Sequence, residues 1–260
     1  MEIFSLVWNS LIINPMVNAL LGIYSLLGSF ALAIILFTIL VRMVTYPLTM
    51  RQMKSTQAMQ EMQKSKEWQQ LQKKYKKDKQ KLQQEQMALY KEKGVSPFGS
   101  CLPTLIQFPV IIGLYRAIIM SLAVTPTQMV ELSKHVYPFI NISSLIPIDN
   151  QFLWMDLSQP ERLYIMGFGV PVLAILVVIT TFLQSKMMTP VSQPGEQGQQ
   201  MTQMMNLYMP LLMGYLAFSF ASGLAIYFVT SNLTSIAQYA AMGKLNWRNI
   251  LPKKKAEASK

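Results

Sequence analysis

Cysteine, histidine and acidic side chains are scarce in this chain, and each scarcity excludes something. Among 260 residues there is one cysteine, Cys101, and one histidine, His135. A single thiol rules out a disulfide framework and any multi-thiolate metal site. A single imidazole leaves little for zinc or a His-based triad, and no phosphate-binding glycine loop is present. We therefore expect no catalytic residues, no metal and no cofactor. No Lys or Arg precedes Arg42, whereas a cleavable signal peptide wants a basic start, so none is expected. No cysteine follows the first apolar stretch, which argues against a lipoprotein anchor. Neither glycine nor proline occurs between Pro47 and Gly94.

What is abundant is apolar surface, 52% of residues, with 23 Lys/Arg against 12 Asp/Glu. The apolar residues come in blocks of membrane-spanning length, the pattern of an all-α integral membrane protein. Five spans are expected, at 29–49, 101–123, 163–185, 207–220 and 223–242. The last two are short and joined by "SFASGLA", a tight hairpin suited to a thin stretch of bilayer. Before them, residues 1–28 hold an amphipathic stretch, "PMVNALLGIYSLLG", with Val17, Leu20, Leu21, Tyr24 and Leu27 at helical spacing. We read it as a helix lying in the outer interface; a sixth span is the rival reading.

Charge sets the expected orientation. Segment 51–98 holds 12 Lys/Arg and 5 Asp/Glu, segment 124–162 holds 2 and 4, and the tail 243–260 holds 6 and 1. By the positive-inside rule, 51–98 and the tail face the cytoplasm, while the amino terminus and the 124–162 loop face out. The remaining connection, 186–206, is then a cytoplasmic loop. The 50–98 segment is rich in Lys, Gln, Glu and Met, all good helix formers. Met59, Met62, Leu71 and Tyr75 give one thin apolar seam, and Leu82, Leu89 and Tyr90 another. "KYKKDKQ" between them is suited to a turn, so a cytoplasmic helical hairpin is expected. Flexible, polarizable methionines such as Met53, Met59 and Met62 are candidates for contact with varied apolar chains.

Polar residues inside the spans are the chemical signal. Arg42 sits in "AIILFTILVRMVTYPL", where an arginine costs roughly 2.5–3.5 kcal/mol at a helix centre on insertion scales. Thr38 lies one turn earlier. Gln107, Gln184, Tyr227, Thr230, Ser231 and Asn232 occupy the other spans, and no Asp or Glu occurs in any span. Such groups turn toward one another or toward water, so we expect a hydrophilic groove holding one unpaired positive charge. Thr230, Ser231 and Asn232 also fit a plain role as interhelical glue. The missing carboxylates argue against proton-coupled transport and, with no His in a span, against an intramembrane protease.

The stretches "TILVRMVTYPLTMRQMKS", "LYKEKGVSPFGSCLPTLIQFPVIIGLYRAI", "FLWMDLSQPE", "MMNLYMPLLM" and "SGLAIYFVTSNL" occur in this order. From about residue 15 to 242 the chain resembles the YidC family of membrane protein insertases. The resemblance implies a five-helix core without a large extracytoplasmic domain, in a bacterial plasma membrane. The implied groove opens to the cytoplasm and to lipid and is closed outside. Arg42 and Thr38 match the family's groove arginine and threonine, and Gln184 a polar groove position. Tyr227-Phe228 stands where many members carry an aromatic pair. Implied partners are nascent membrane proteins, the lipid bilayer, a ribosome or targeting factor meeting the hairpin and basic tail, and the Sec translocon as a further candidate.

Overall fold

The structure, a computed structural model, describes residues 2–75, 78–94, 102–122, 125–165, 168–188 and 207–243. An apolar helix comes first: α1 (Glu2–Trp8) continues through a π-helical stretch (Asn9–Ile13) into α2 (Asn14–Leu27). Pro15 accounts for the widened turn. It has no N–H to give, and its ring crowds the carbonyl four residues back. The chain relaxes to a longer bond, the Asn14 N–H donating to the Asn9 carbonyl. Gly28 ends α2 in left-handed backbone (φ 66), which glycine adopts without a Cβ clash.

The helix thus starts at Glu2, well before the expected amphipathic stretch. Its Ser5–Leu27 portion is 23 residues long and, by length and composition, sufficient to cross a membrane. Val17, Leu20, Leu21 and Tyr24 are buried in the main core. On another face Asn18 Nδ2 donates to the His135 carbonyl (2.8 Å), and Asn18 Oδ1 accepts from the Tyr137 N–H (2.7 Å).

α3 (Phe30–Val44) and α4 (Tyr46–Lys64) meet at Thr45 with 57° between their axes. Pro47 supplies the reason, since it cannot donate to the Met43 carbonyl. The expected 29–49 span is therefore bent near its end. A second elbow, not foreseen, falls at Ser65, whose backbone is extended (ψ 151) and whose Oγ accepts from the Trp68 N–H at 3.2 Å. α5 (Lys66–Lys74) follows; the Asp78 N–H donates to the Tyr75 carbonyl at 3.0 Å, and Asp78 caps α6 (Lys79–Glu92) by accepting from the Lys81 N–H at 3.1 Å. α6 returns along α5. Trp68 and Tyr90 meet edge to face at 5.5 Å, with Met62 and Leu89 beside them.

α7 (Leu102–Ser121) and α8 (Pro126–His135) lead into a loop with two antiparallel pairs. These are β1 (Gln151–Phe152) with β2 (Met155–Asp156), and β3 (Leu163–Ile165) with β4 (Phe168–Val170). The second pair corrects the sequence reading: the third span does not begin at 163, because α9 is Val172–Met188. Tyr164, Ile165, Phe168 and Val170 are strand formers, and Pro171 biases its predecessor away from helix. The chain ends, as described, in α10 (Met209–Ser219) and α11 (Ser222–Ala241).

Helices α3, α9 and α10 have 15, 17 and 11 residues. At 1.5 Å per residue their described lengths are about 22, 26 and 17 Å. They pack closely. A Cβ on Gly223 would lie 3.1 Å from Ile118 and 3.2 Å from Ile34, so α11 touches α7 and α3 together. A Cβ on Gly214 would collide with Val178, which marks the α9–α10 approach.

One end of the bundle is tied down by "FLWMDLSQPE". The Ser222 N–H donates to the Gln159 carbonyl (2.8 Å) and the Gly223 N–H to the Leu157 carbonyl (3.1 Å), satisfying the start of α11. Ser222 Oγ adds a bond to the Asp156 carbonyl at 2.6 Å. Loop 186–206 from residue 189 onward, and the tail from 244, lie outside the described residues.

Candidate functional site

Arg42 falls in the last turn of α3, whose apolar face buries Phe30, Ala33, Ile34 and Phe37 in the core. Its side chain crosses to α11. Arg42 Nε donates to Ser231 Oγ at 3.0 Å, and Nη2 donates to the same oxygen. Ser231 is buried, and its carbonyl accepts from Ser235 Oγ at 2.8 Å. Among the described residues no carboxylate pairs with Arg42.

The Arg42 backbone is also held. Its carbonyl accepts from Gln238 Nε2 at 3.0 Å, and from Thr45 Oγ1 at a longer 3.5 Å. Carbonyls in the last turn of a helix lack intrahelical donors, so a side chain from a neighbouring helix is a natural substitute.

The other expected groove residues do not share one partner. Thr38 is buried and gives its hydroxyl hydrogen to its own helix, at the Ile34 carbonyl (2.6 Å). Tyr227 is buried on α11 and touches Phe228, ring centroids 5.6 Å apart. Asn232 serves as glue: its Nδ2 donates to Thr180 Oγ1 (3.1 Å) and Thr181 Oγ1 (2.8 Å), joining α11 to α9. Gln184, half-buried, lies one turn beyond Thr180 on the same face of α9. Thr230 is half-buried and contributes its carbonyl to Thr234 Oγ1 (2.7 Å). Gln107 belongs to α7, but its side chain lies outside the described residues. The structure therefore brings Arg42 together with Ser231 and sets Asn232 on a different partner.

Gln238, Thr180 and Thr181 were absent from the sequence reading. Gln238 had a legible signal, since it stands two helical turns after Ser231 and so on the same face. Thr180 and Thr181 gave none, because threonines in an apolar helix commonly bond only to their own backbone, as Thr180 also does to the Leu176 carbonyl (2.7 Å).

On the flank of α3 lies an apolar cavity of about 370 Å³. Leu11, Ile12 and Met16 of the first helix line it with Phe37, Val41 and Pro109. On the hairpin, Met53, Met59 and Met62 are all buried, so each now faces protein.

The family model "60Kd inner membrane protein" matches residues 22–248. The chain is 35% identical over 236 residues to membrane protein insertase YidC 2 of Bacillus anthracis, covering 89% of this chain and 79% of that protein. It is 34% identical over 234 residues to membrane protein insertase MisCA of Bacillus subtilis, covering 89% and 77%. Against membrane protein insertase YidC of Syntrophobacter fumaroxidans it is 36% identical over 238 residues, covering 89% of this chain but 37% of that longer protein. A crystal structure of an active YidC insertase with its first transmembrane domain resolved superimposes with a TM-score of 0.51 at 24% identity, over 84% of this chain and 42% of that one. That likeness speaks for a shared fold. A helical membrane architecture, the ordered motifs and a match over most of its length place this chain in the 60Kd inner membrane protein family, that of the YidC-type insertases.

Proposed function

We propose that the protein is a membrane protein insertase of the bacterial inner membrane and that Arg42 is the charged contact for its clients. The observation that carries this is Arg42 itself: a cation between helices whose side-chain partner is a neutral serine hydroxyl. Hydrogen bonds to a charged group contribute about 1.5–3 kcal/mol, and a carboxylate forms a stronger, bidentate pair with guanidinium. An acidic residue in an arriving segment therefore displaces Ser231. The attraction is stronger in a partly dehydrated groove than in bulk water. The client's apolar helix then leaves sideways into lipid, at about 25 cal/mol gained per Å² of apolar surface. Burial on that scale outweighs one ion pair, so Arg42 lowers a barrier and selects clients while lipid burial drives insertion.

The orientation that fits has the hairpin and basic tail in the cytoplasm, beside the ribosome or targeting factor, and the 124–162 loop outside. The buried Met53, Met59 and Met62 meet a client only where the packed face of α4 opens.

The test is insertion of a single-span client with an acidic outer tail, in proteoliposomes carrying wild type, Arg42→Ala or Arg42→Lys. Ala should cut insertion strongly and Lys should retain most of it, since charge matters more here than guanidinium geometry. Equal insertion by wild type and Ala would overturn the role given to Arg42.

A further inference from the structure

We infer that Gln238 is a positioning residue for Arg42; this rests on the charge-contact reading above. Arg42 is gripped by α11 at two points two turns apart. Ser231 takes the guanidinium, and Gln238 takes the backbone carbonyl at 3.0 Å. The amide orientation of Gln238 is settled by chemistry, because a carbonyl only accepts and Nε2 is the donor. The same side chain leaves Oε1 buried and without a hydrogen-bond partner among the described residues. A glutamine kept for stability alone would satisfy both ends, since an unpaired buried acceptor is a cost. Here one end is spent on Arg42 and the other meets no donor among the described residues.

Position matters at this site because α3 ends there. Thr45 begins the bend into α4, and the last turn of a helix is its weakest-held part. Without Gln238 the Arg42 carbonyl keeps, among the described residues, only the 3.5 Å contact from Thr45. The guanidinium then samples more orientations, and capture of an acidic residue loses pre-organisation.

The experiment measures insertion of two clients, one with an acidic outer tail and one with its acidic residues changed to Asn and Gln. The variants are Gln238→Leu, Gln238→Met and Arg42→Ala, together with Arg42→Ala combined with Gln238→Leu. Both Gln238 variants should lower insertion of the acidic client by roughly two- to tenfold, the range of one hydrogen bond. The neutral client should insert as in wild type, and the double variant should insert the acidic client no worse than Arg42→Ala. Equal losses for both clients would mean a merely structural role and would overturn the proposal. So would unchanged insertion of the acidic client by Gln238→Met, or losses that multiply in the double variant. If Arg42→Ala alone leaves the acidic client unaffected, the charge-contact reading itself fails and the role of Gln238 falls with it.

Discussion

Glu161 is only 6% exposed, in a chain that keeps acids out of its apolar segments. Its oxygens are fully occupied: Oε1 accepts from Trp154 Nε1 at 2.9 Å and Oε2 from the Leu173 N–H at 3.0 Å. The second bond puts a negative charge on the first turn of α9, where the helix dipole favours it. Glu161→Ala should destabilise by about 1–3 kcal/mol through the donors left unpaired. Glu161→Gln, which keeps one acceptor, should lose less; thermal unfolding in detergent ranks the two. Leu153, at the β1–β2 turn, is the opposite case. It is 72% exposed at φ 57, so left-handed backbone strain goes uncompensated by packing. Leu153→Gly should raise stability by about 1 kcal/mol in the same measurement. Neither residue stands out in the sequence by type. The "FLWMDLSQPE" motif marked the region, but only the fold shows that its acids and carbonyls satisfy helix starts.

At the scale of elements, the α5–α6 hairpin is held by a small apolar cluster and one exposed ion pair. Trp68 is buried against Leu89 and Tyr90, so Trp68→Ala should cost roughly 3 kcal/mol locally and speed amide exchange across residues 66–92. Lys93 Nζ lies 2.9 Å from Glu67 Oε2, and that hydrogen bond, then the carboxylate's charge, holds the lysine above its usual range. A folded value raised above the unfolded one stabilises below the unfolded value and is lost as pH rises through the folded one. Trp68 fluorescence, read in a variant without the other tryptophans, should therefore be constant near neutrality. Above the ordinary lysine range it should change, and the change should shrink in Glu67→Gln. In the bundle, Gly214→Leu should part α9 from α10, because a side chain there meets Val178; overpacking of this kind costs about 1–3 kcal/mol. The hairpin's turn was readable from its polarity. The elbows at Thr45 and Ser65 were not equally so: Pro47 signals the first, whereas Ser65 is one serine among helix formers.

At the scale of the whole molecule, the expected orientation puts α4–α6 and the 125–165 loop on opposite sides of the membrane. Single cysteines at Glu85 and Asn141, in a Cys101→Ser background, should react with a membrane-impermeant maleimide from opposite faces of sealed vesicles. A third cysteine at Ser5 separates the two forms of the first helix. Reaction on the side of Asn141 fits a helix lying in the outer interface, and reaction on the side of Glu85 makes Ser5–Leu27 a sixth span. Length and composition permit the span. The bonds from Asn18 to the His135 and Tyr137 backbone tie the helix to the 125–165 loop in either case.

Hydrophobic blocks, charge asymmetry and turn residues are local properties, and they sufficed for the helical membrane class. They did not suffice for partners. Arg42 lies 189 and 196 residues along the chain from Ser231 and Gln238, and threonine, serine and glutamine bond as readily to their own helix as to another. Only the close crossing of α3 and α11, permitted by the absent side chain at Gly223, decides that Ser231 and Gln238 face Arg42. The same packing gives Asn232 to Thr180 and Thr181 instead.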